Sequence, residues 1–267
     1  MLSVSVAFEK ARSEGRAALV GYLPAGFPTV AAGLDAVRTL AESGADLVEV
    51  GFPYSDPVID GPVIQRASEI ALAQGVRPAD VIRTVEAVAR TGVPVVVMTY
   101  WNLVERYGVD RFARDLAAAG GSGLITPDLL PEEAGEWIAV SDEQGLDRIF
   151  LVAPSSTDAR IASTVAACRG FVYATSVMGV TGDRDSTSAA APTLVSRVRA
   201  VAGSLPVGVG LGVRNGAQAA EVGGYADGVI VGSALVRCLL DAPDELAGLA
   251  ALRALTAELA SGVRRRS

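Results

Sequence analysis

The chain of 267 residues contains no histidine. That absence removes the commonest general base at neutral pH and the commonest transition-metal ligand. Lysine is nearly missing as well. The one copy, Lys10, lies in a polar N-terminal stretch, whereas an imine-forming lysine needs a buried strand or pocket position. Acid–base chemistry is therefore left to carboxylates, tyrosine or water. Cysteine occurs twice, at Cys168 and Cys238, with neither zinc nor redox spacing, and both read as core residues. Basic excess is absent: 23 Lys and Arg against 30 Asp and Glu give a net charge of −7, which argues against nucleic acid or anionic membrane as a partner. No apolar run reads as long enough to span a bilayer, and the mixed start at Met1–Lys10 does not read as a secretory signal. A cytoplasmic chain without a bound metal is expected.

Apolar residues make up 50% of the chain, enough for a large core. They cluster in short runs near 17–23, 46–50, 94–99, 122–126, 148–152, 170–175, 206–211 and 227–231. Helical patterns lie between them, for example over 30–43, 78–91, 108–119 and 131–145. Near-continuous apolar strands alternating with helices predict a parallel sheet covered by helices. Eight such units in about 250 residues favour a closed (β/α)₈ barrel over an open doubly wound sheet. The expected architecture is a single α/β barrel domain over 1–267, with an extra helix at the start (about 3–14) and another at the end (about 243–260). Glycine signals at 43–46, 91–94 and 119–122 read as helix C-caps that feed the next strand.

In such a barrel, chemistry sits at the strand C-termini and the loops that follow. The run 46–50 holds one carboxylate, Glu49, and the turn-rich loop after it adds Asp56 and Asp60. A glutamate inside an apolar strand is costly to bury unless it is paired or used. Glu49 is thus either a salt-bridged structural residue or a general acid/base. Asp60, in Ile-Asp-Gly-Pro, is either a turn former or its partner. Asp56, before Pro57, reads as loop-ordering. After the last two strands come Gly210-Leu211-Gly212 and Gly232-Ser233, which are tight turns or a place where backbone N–H groups meet a phosphate. The long polar loop 176–190 carries Gly179 and Gly182 as hinges for a lid. Tyr173 is either core or site. Tyr100, Trp101 and Asn102 follow the third strand, where they would line an aromatic pocket, although Trp101 reads equally well as a surface residue.

Four segments carry a family resemblance: Gly-Tyr-Leu-Pro-Ala-Gly-Phe-Pro-Thr (21–29), Glu-Val-Gly-Phe-Pro-Tyr-Ser-Asp-Pro-Val-Ile-Asp-Gly-Pro-Val-Ile-Gln (49–65), Tyr-Ala-Thr-Ser-Val-Met-Gly-Val-Thr-Gly (173–182) and Ala-Asp-Gly-Val-Ile-Val-Gly-Ser-Ala (226–234). Over about residues 4–260 the sequence resembles the tryptophan synthase α chains. The resemblance implies a barrel lyase that cleaves indole-3-glycerol phosphate to indole and glyceraldehyde 3-phosphate. It implies Glu49 as the acid/base and Asp60 as its partner at the indole nitrogen. It implies Tyr22, Tyr100, Tyr173 and Thr181 at the substrate, with Gly182, Gly212, Gly232 and Ser233 at its phosphate. No cofactor is implied in this chain. A β chain carrying pyridoxal phosphate is the implied partner, in an α2β2 assembly met through Pro53, Asp56 and Asp128. Ile59, Leu211 and Leu103 depart from residues common in the family without removing a catalytic group. A free-standing lyase, or a non-catalytic activator of a β chain, remains an alternative.

Overall fold

The strands are short and, with one exception, each is followed by a helix that returns the chain to the same end, so neighbouring strands run parallel. The computed structural model describes residues 2–175 and 190–265. Among these, nine strands form one sheet: β1 Ala18–Pro24, β2 Leu47–Gly51, β3 Val95–Met98, β4 Gly123–Ile125, β5 Asp147–Ile149, β6 Leu151–Val152, β7 Val172–Thr175, β8 Val207–Gly210 and β9 Gly228–Val231. Their order is β5-β4-β3-β2-β1-β9-β8-β7-β6, and every pairing is parallel. The sheet curls into a nearly closed barrel.

Eight expected strands become nine because the run 148–152 is divided. Asp147–Ile149 pairs with β4, Leu151–Val152 pairs with β7, and Phe150 between them leaves the ladder. One stretch of chain thus closes the ring by changing neighbours at a single residue. The expected helices are present with trimmed ends: Val30–Glu42, Pro78–Ala89, Val109–Ala118 and Gly135–Gln144. Their C-terminal glycines behave as capping positions do, with positive φ at Gly44, Gly92 and Gly120.

Alternation along the strands separates two apolar layers. Val48 and Val50, like Val95 and Val97, face the outer helices, whereas Leu47 and Val96 point into the barrel with Val20, Ile125, Ile149 and Ile230. Glu49 shares the inward face with Leu47. The N-terminal helix Val4–Ser13 closes the lower end: Val4, Ala7, Phe8 and Ala11 join the inner cluster, and Phe8 packs on Phe171 at 5.2 Å between ring centroids. Asp147 ties this helix down by accepting from Val4 N–H at 3.0 Å and Ser3 Oγ–H at 3.1 Å. With the bottom filled, the barrel is open only at the C-terminal end of its strands.

The sequence reading found no run of membrane-spanning length, and one described helix corrects it. The C-terminal helix Glu245–Val263 has 19 residues and is apolar enough to pass by length and composition. Its apolarity serves packing within the fold. Leu252, Thr256, Leu259 and Val263 are buried on one face, and Gly262 lies against the backbone of Gly216 so closely that an added Cβ would sit 2.2 Å from the Gly216 carbonyl oxygen. Cys168 is buried as expected, whereas Cys238 is only half-buried.

Candidate active site

At the open end, β1, β2, β3, β7, β8 and β9 bring residues at or near their ends around one pocket. Tyr22 and Glu49 are register partners on β1 and β2, so both project at the same height. Tyr173 on β7 and Asp60 in the loop after β2 complete a polar half of the wall. Gly210, Gly212, Gly232 and Ser233 border the same pocket, Gly210 beside Tyr173 and Gly232 beside Tyr22, and Ile64, Met98 and Ile230 supply apolar surface.

Glu49 is 1% exposed, and its Oε1 has no hydrogen-bond partner among the described residues. Among the described residues no ion pair holds it, which speaks against the structural salt-bridge reading. Burial alone pushes its pKa up to about 8. Asp60 sits nearer the mouth, and burial lifts it less, to about 6. Both tyrosine hydroxyls are shifted well above their ordinary range by burial first and carboxylate charge second. Among charges, Asp60 acts most on Tyr22 and Glu49 most on Tyr173. All four groups therefore face one volume, with the phenols held neutral beside two acids. Close approach makes this arrangement depend on glycine: a Cβ at Gly51 would lie 2.2 Å from the Tyr22 hydroxyl, and one at Gly210 would lie 2.5 Å from that of Tyr173.

Beside Tyr22 the helix Ser233–Leu240 begins at Gly232 with no side-chain cap among the described residues, which leaves its first N–H groups free to meet an anion. Gly212 adopts φ +73°, a conformation glycine accepts without strain. The nearest described atoms that an added Cβ at Gly232 would meet belong to Tyr22, at 3.5 Å and beyond.

The loop 52–61 carries Asp60 on an ordered path. Asp60 N–H donates to the Pro57 carbonyl at 3.1 Å, and Gln65 Nε2 donates to the Asp60 carbonyl at 2.8 Å. The turn reading of Asp60 thus holds for its backbone, while its carboxylate borders the pocket. Tyr100 does not line that pocket; its hydroxyl accepts the Ile59 N–H at 3.0 Å, behind the loop. Of the residues implied at a partner surface, Asp56 and Asp128 are exposed. Asp128 also accepts the Trp101 N–H with both oxygens, at 2.9 and 3.2 Å. Pro53 is a correction: it is buried and packs inside the rim, so it offers no surface in this chain. Thr181, Gly182 and the hinge glycine Gly179 lie outside the described residues. Sequence reasoning missed Ile64, Met98 and Ile230. Met98 was within reach, being two residues beyond inward-facing Val96.

With this geometry in place, comparison with known proteins becomes specific. The family model for the tryptophan synthase alpha chain matches residues 8–264. The chain belongs to the tryptophan synthase alpha chain family. It is similar to the tryptophan synthase alpha chain of Salinispora arenicola, 70% identical over 264 residues, covering 99% of this chain and 98% of the other. That of Mycobacterium marinum is 65% identical over 260 residues, covering 97% and 94%. Among solved structures, a chain of Mycobacterium tuberculosis tryptophan synthase superposes with a TM-score of 0.93 at 61% identity, covering 99% of this chain and 100% of that one. The reaction of tryptophan synthase alpha chains is the cleavage of indole-3-glycerol phosphate, a step of tryptophan biosynthesis, and the family works with a beta chain. The chain is accordingly a lyase subunit.

Proposed function

We propose that Glu49 and Asp60 carry out the cleavage as a split acid pair. The observation that carries this reading is Glu49 itself: a carboxylate that is 1% exposed, lines the pocket, and has an Oε1 with no hydrogen-bond partner among the described residues. Breaking a carbon–carbon bond requires a sink for the bonding electrons. The only lysine, Lys10, is exposed on the N-terminal helix at the far end of the barrel, so this chain offers no imine. The substrate's own ring serves instead. Glu49, protonated at neutral pH, donates its proton to indole C3 and creates an iminium at the ring nitrogen. The bond from C3 to the side chain then breaks, its electrons return to the ring, and indole is released. The neighbouring hydroxyl becomes the aldehyde, and its proton goes to the Glu49 carboxylate directly or through water. Asp60, ionised, stabilises positive charge developing at the ring nitrogen.

Tyr22 and Tyr173 position the ring as neutral phenols. Gly212, Gly232 and Ser233 take the phosphate through backbone N–H groups, and the family resemblance adds Gly182 at the phosphate and Thr181 at the substrate. Anchoring the phosphate far from the bond that breaks helps position the reacting atoms. This chain needs no cofactor for that sequence, and pyridoxal phosphate belongs to the beta partner. The assembly is an α2β2 heterotetramer with the pocket face against the beta chain, and the barrel acts as one domain. Free, unbridged cysteines fit a reducing, cytoplasmic setting.

Glu49→Gln tests the assignment. It keeps shape and removes the proton, so turnover should fall about 10²–10⁴-fold while the protein stays folded and still binds glycerol phosphate. Substantial indole release by the purified variant would return Glu49 to a structural role.

A further inference from the structure

Asp60 lies on irregular backbone, and its carboxylate is useful only if that backbone is held. Two restraints come from within the loop and the helix it enters: the turn from Asp60 N–H to the Pro57 carbonyl, and the Gln65 side chain on the Asp60 carbonyl. A third comes from another part of the barrel. Tyr100 follows β3, is 6% exposed, and its hydroxyl oxygen accepts the Ile59 N–H at 3.0 Å. Its ring is braced in turn. Tyr54 packs against it at 5.1 Å between centroids, and Asn102 Nδ2 donates to the Tyr54 hydroxyl at 3.1 Å. Asn102 belongs to the helix Trp101–Tyr107, whose first N–H is fixed by the Asp128 carboxylate. A continuous strut therefore runs from the β3 end, through two packed phenols, to the N–H of Ile59, the residue before Asp60.

We propose that Tyr100 is a positioning residue that sets the Asp60 carboxylate over the pocket by holding the Ile59 peptide, rather than a residue that touches substrate. The inference rests on the assignment of Asp60 above. Ile59 gives the strut its reach, because the restraint acts one residue before the working group. Removing the phenolic oxygen leaves the ring packing intact and takes the acceptor from a half-buried N–H. A hydrogen bond lost in that way is worth about fivefold to a hundredfold in an equilibrium, here the fraction of molecules with Asp60 in place.

The test is Tyr100→Phe, with two readouts on the purified chain and on its complex with the beta chain. The expected result is faster amide exchange at Ile59, a kcat for indole release about tenfold lower, and a KM for indole-3-glycerol phosphate that stays within about twofold. Tyr54→Phe, which keeps the ring and removes the Asn102 contact, should shift both readouts in the same direction by less. A raised KM with unchanged kcat would make Tyr100 a substrate contact and overturn the proposal. Unchanged exchange at Ile59 would overturn it too. Asp60→Asn, assayed alongside, separates the two readings. An inactive Asp60→Asn with full-rate Tyr100→Phe refutes the strut alone, whereas a full-rate Asp60→Asn refutes the role of Asp60.

Discussion

Glu49 and Asp60 are shifted in the same direction by the same cause and still end in opposite states at neutral pH. Burial raises Glu49 from 4.5 to about 8 and Asp60 from 3.8 to about 6. At pH 7 the first holds its proton and the second has lost it, which is the division of labour the reaction needs. The sign follows for each limb of the rate. Asp60 must be ionised, so kcat/KM should fall as pH drops through about 6. Glu49 must be protonated, so it should fall as pH rises through about 8. A bell between those values is the expected profile of the free enzyme. The substrate's phosphate titrates near pH 6 as well, at about the second pKa of a phosphomonoester, and Asp60→Asn separates the two. That variant should lose about 10²–10³-fold in rate and retain only the phosphate's share of the acid limb. A near-normal rate with an unchanged profile would leave Asp60 as a turn former. Much of this was legible in the sequence, because a lone carboxylate in an apolar strand and a second in the next loop are unusual residues for their places. What could not be read was the height at which each acid sits, since burial separates their pKa values and depends on neighbours from six strands.

The strands were legible for a similar reason: their apolar runs are short, repeated and divided by helices with clear caps. The break at Phe150 was not. It arises where one run must pair with β4 below and β7 above, a consequence of barrel closure that local pattern does not encode. At the helix Ser233–Leu240 an element, more than a side chain, would make the proposed phosphate site. Its N-cap supplies no side-chain hydrogen bond, because Gly232 has no side-chain oxygen to give. Gly232→Val tests this cleanly. The added Cβ meets Tyr22 only at ordinary contact distance, so the fold should tolerate it, whereas at Gly212 the positive φ would add strain and confuse the result. Binding of glycerol phosphate, followed by calorimetry, should weaken about tenfold, the size expected when a charge-assisted hydrogen bond is obstructed. Unaltered affinity would move the phosphate to another part of the rim.

At the scale of the whole molecule, the barrel has one closed end and one open end. The N-terminal helix fills the bottom with apolar side chains, so substrate and product share the face that carries Glu49 and Asp60. Indole is small, apolar and neutral, and a free product of that kind crosses membranes readily. A tryptophan synthase beta chain seated over the open end would receive it directly. The rim is suited to such a contact. Val58 is 80% exposed at the tip of the Asp60 loop, Leu130 is 43% exposed in the 127–131 loop, and Asp56 offers an exposed carboxylate between them and solvent. A partner held there bears on the loop that carries Asp60, so binding should favour the arrangement in which that carboxylate is in place, and cleavage should accelerate. The prediction has two parts. Mixing with the cognate beta chain should give a complex in sedimentation and a faster indole release than the chain alone. Val58→Lys and Leu130→Lys, each burying a charge in that contact, should then raise the dissociation constant about tenfold or more. If neither substitution alters association, the beta chain binds elsewhere. If the wild-type chain fails to associate at micromolar concentration and is fully active alone, it works as a free-standing lyase, and the exposed Val58 packs against no partner.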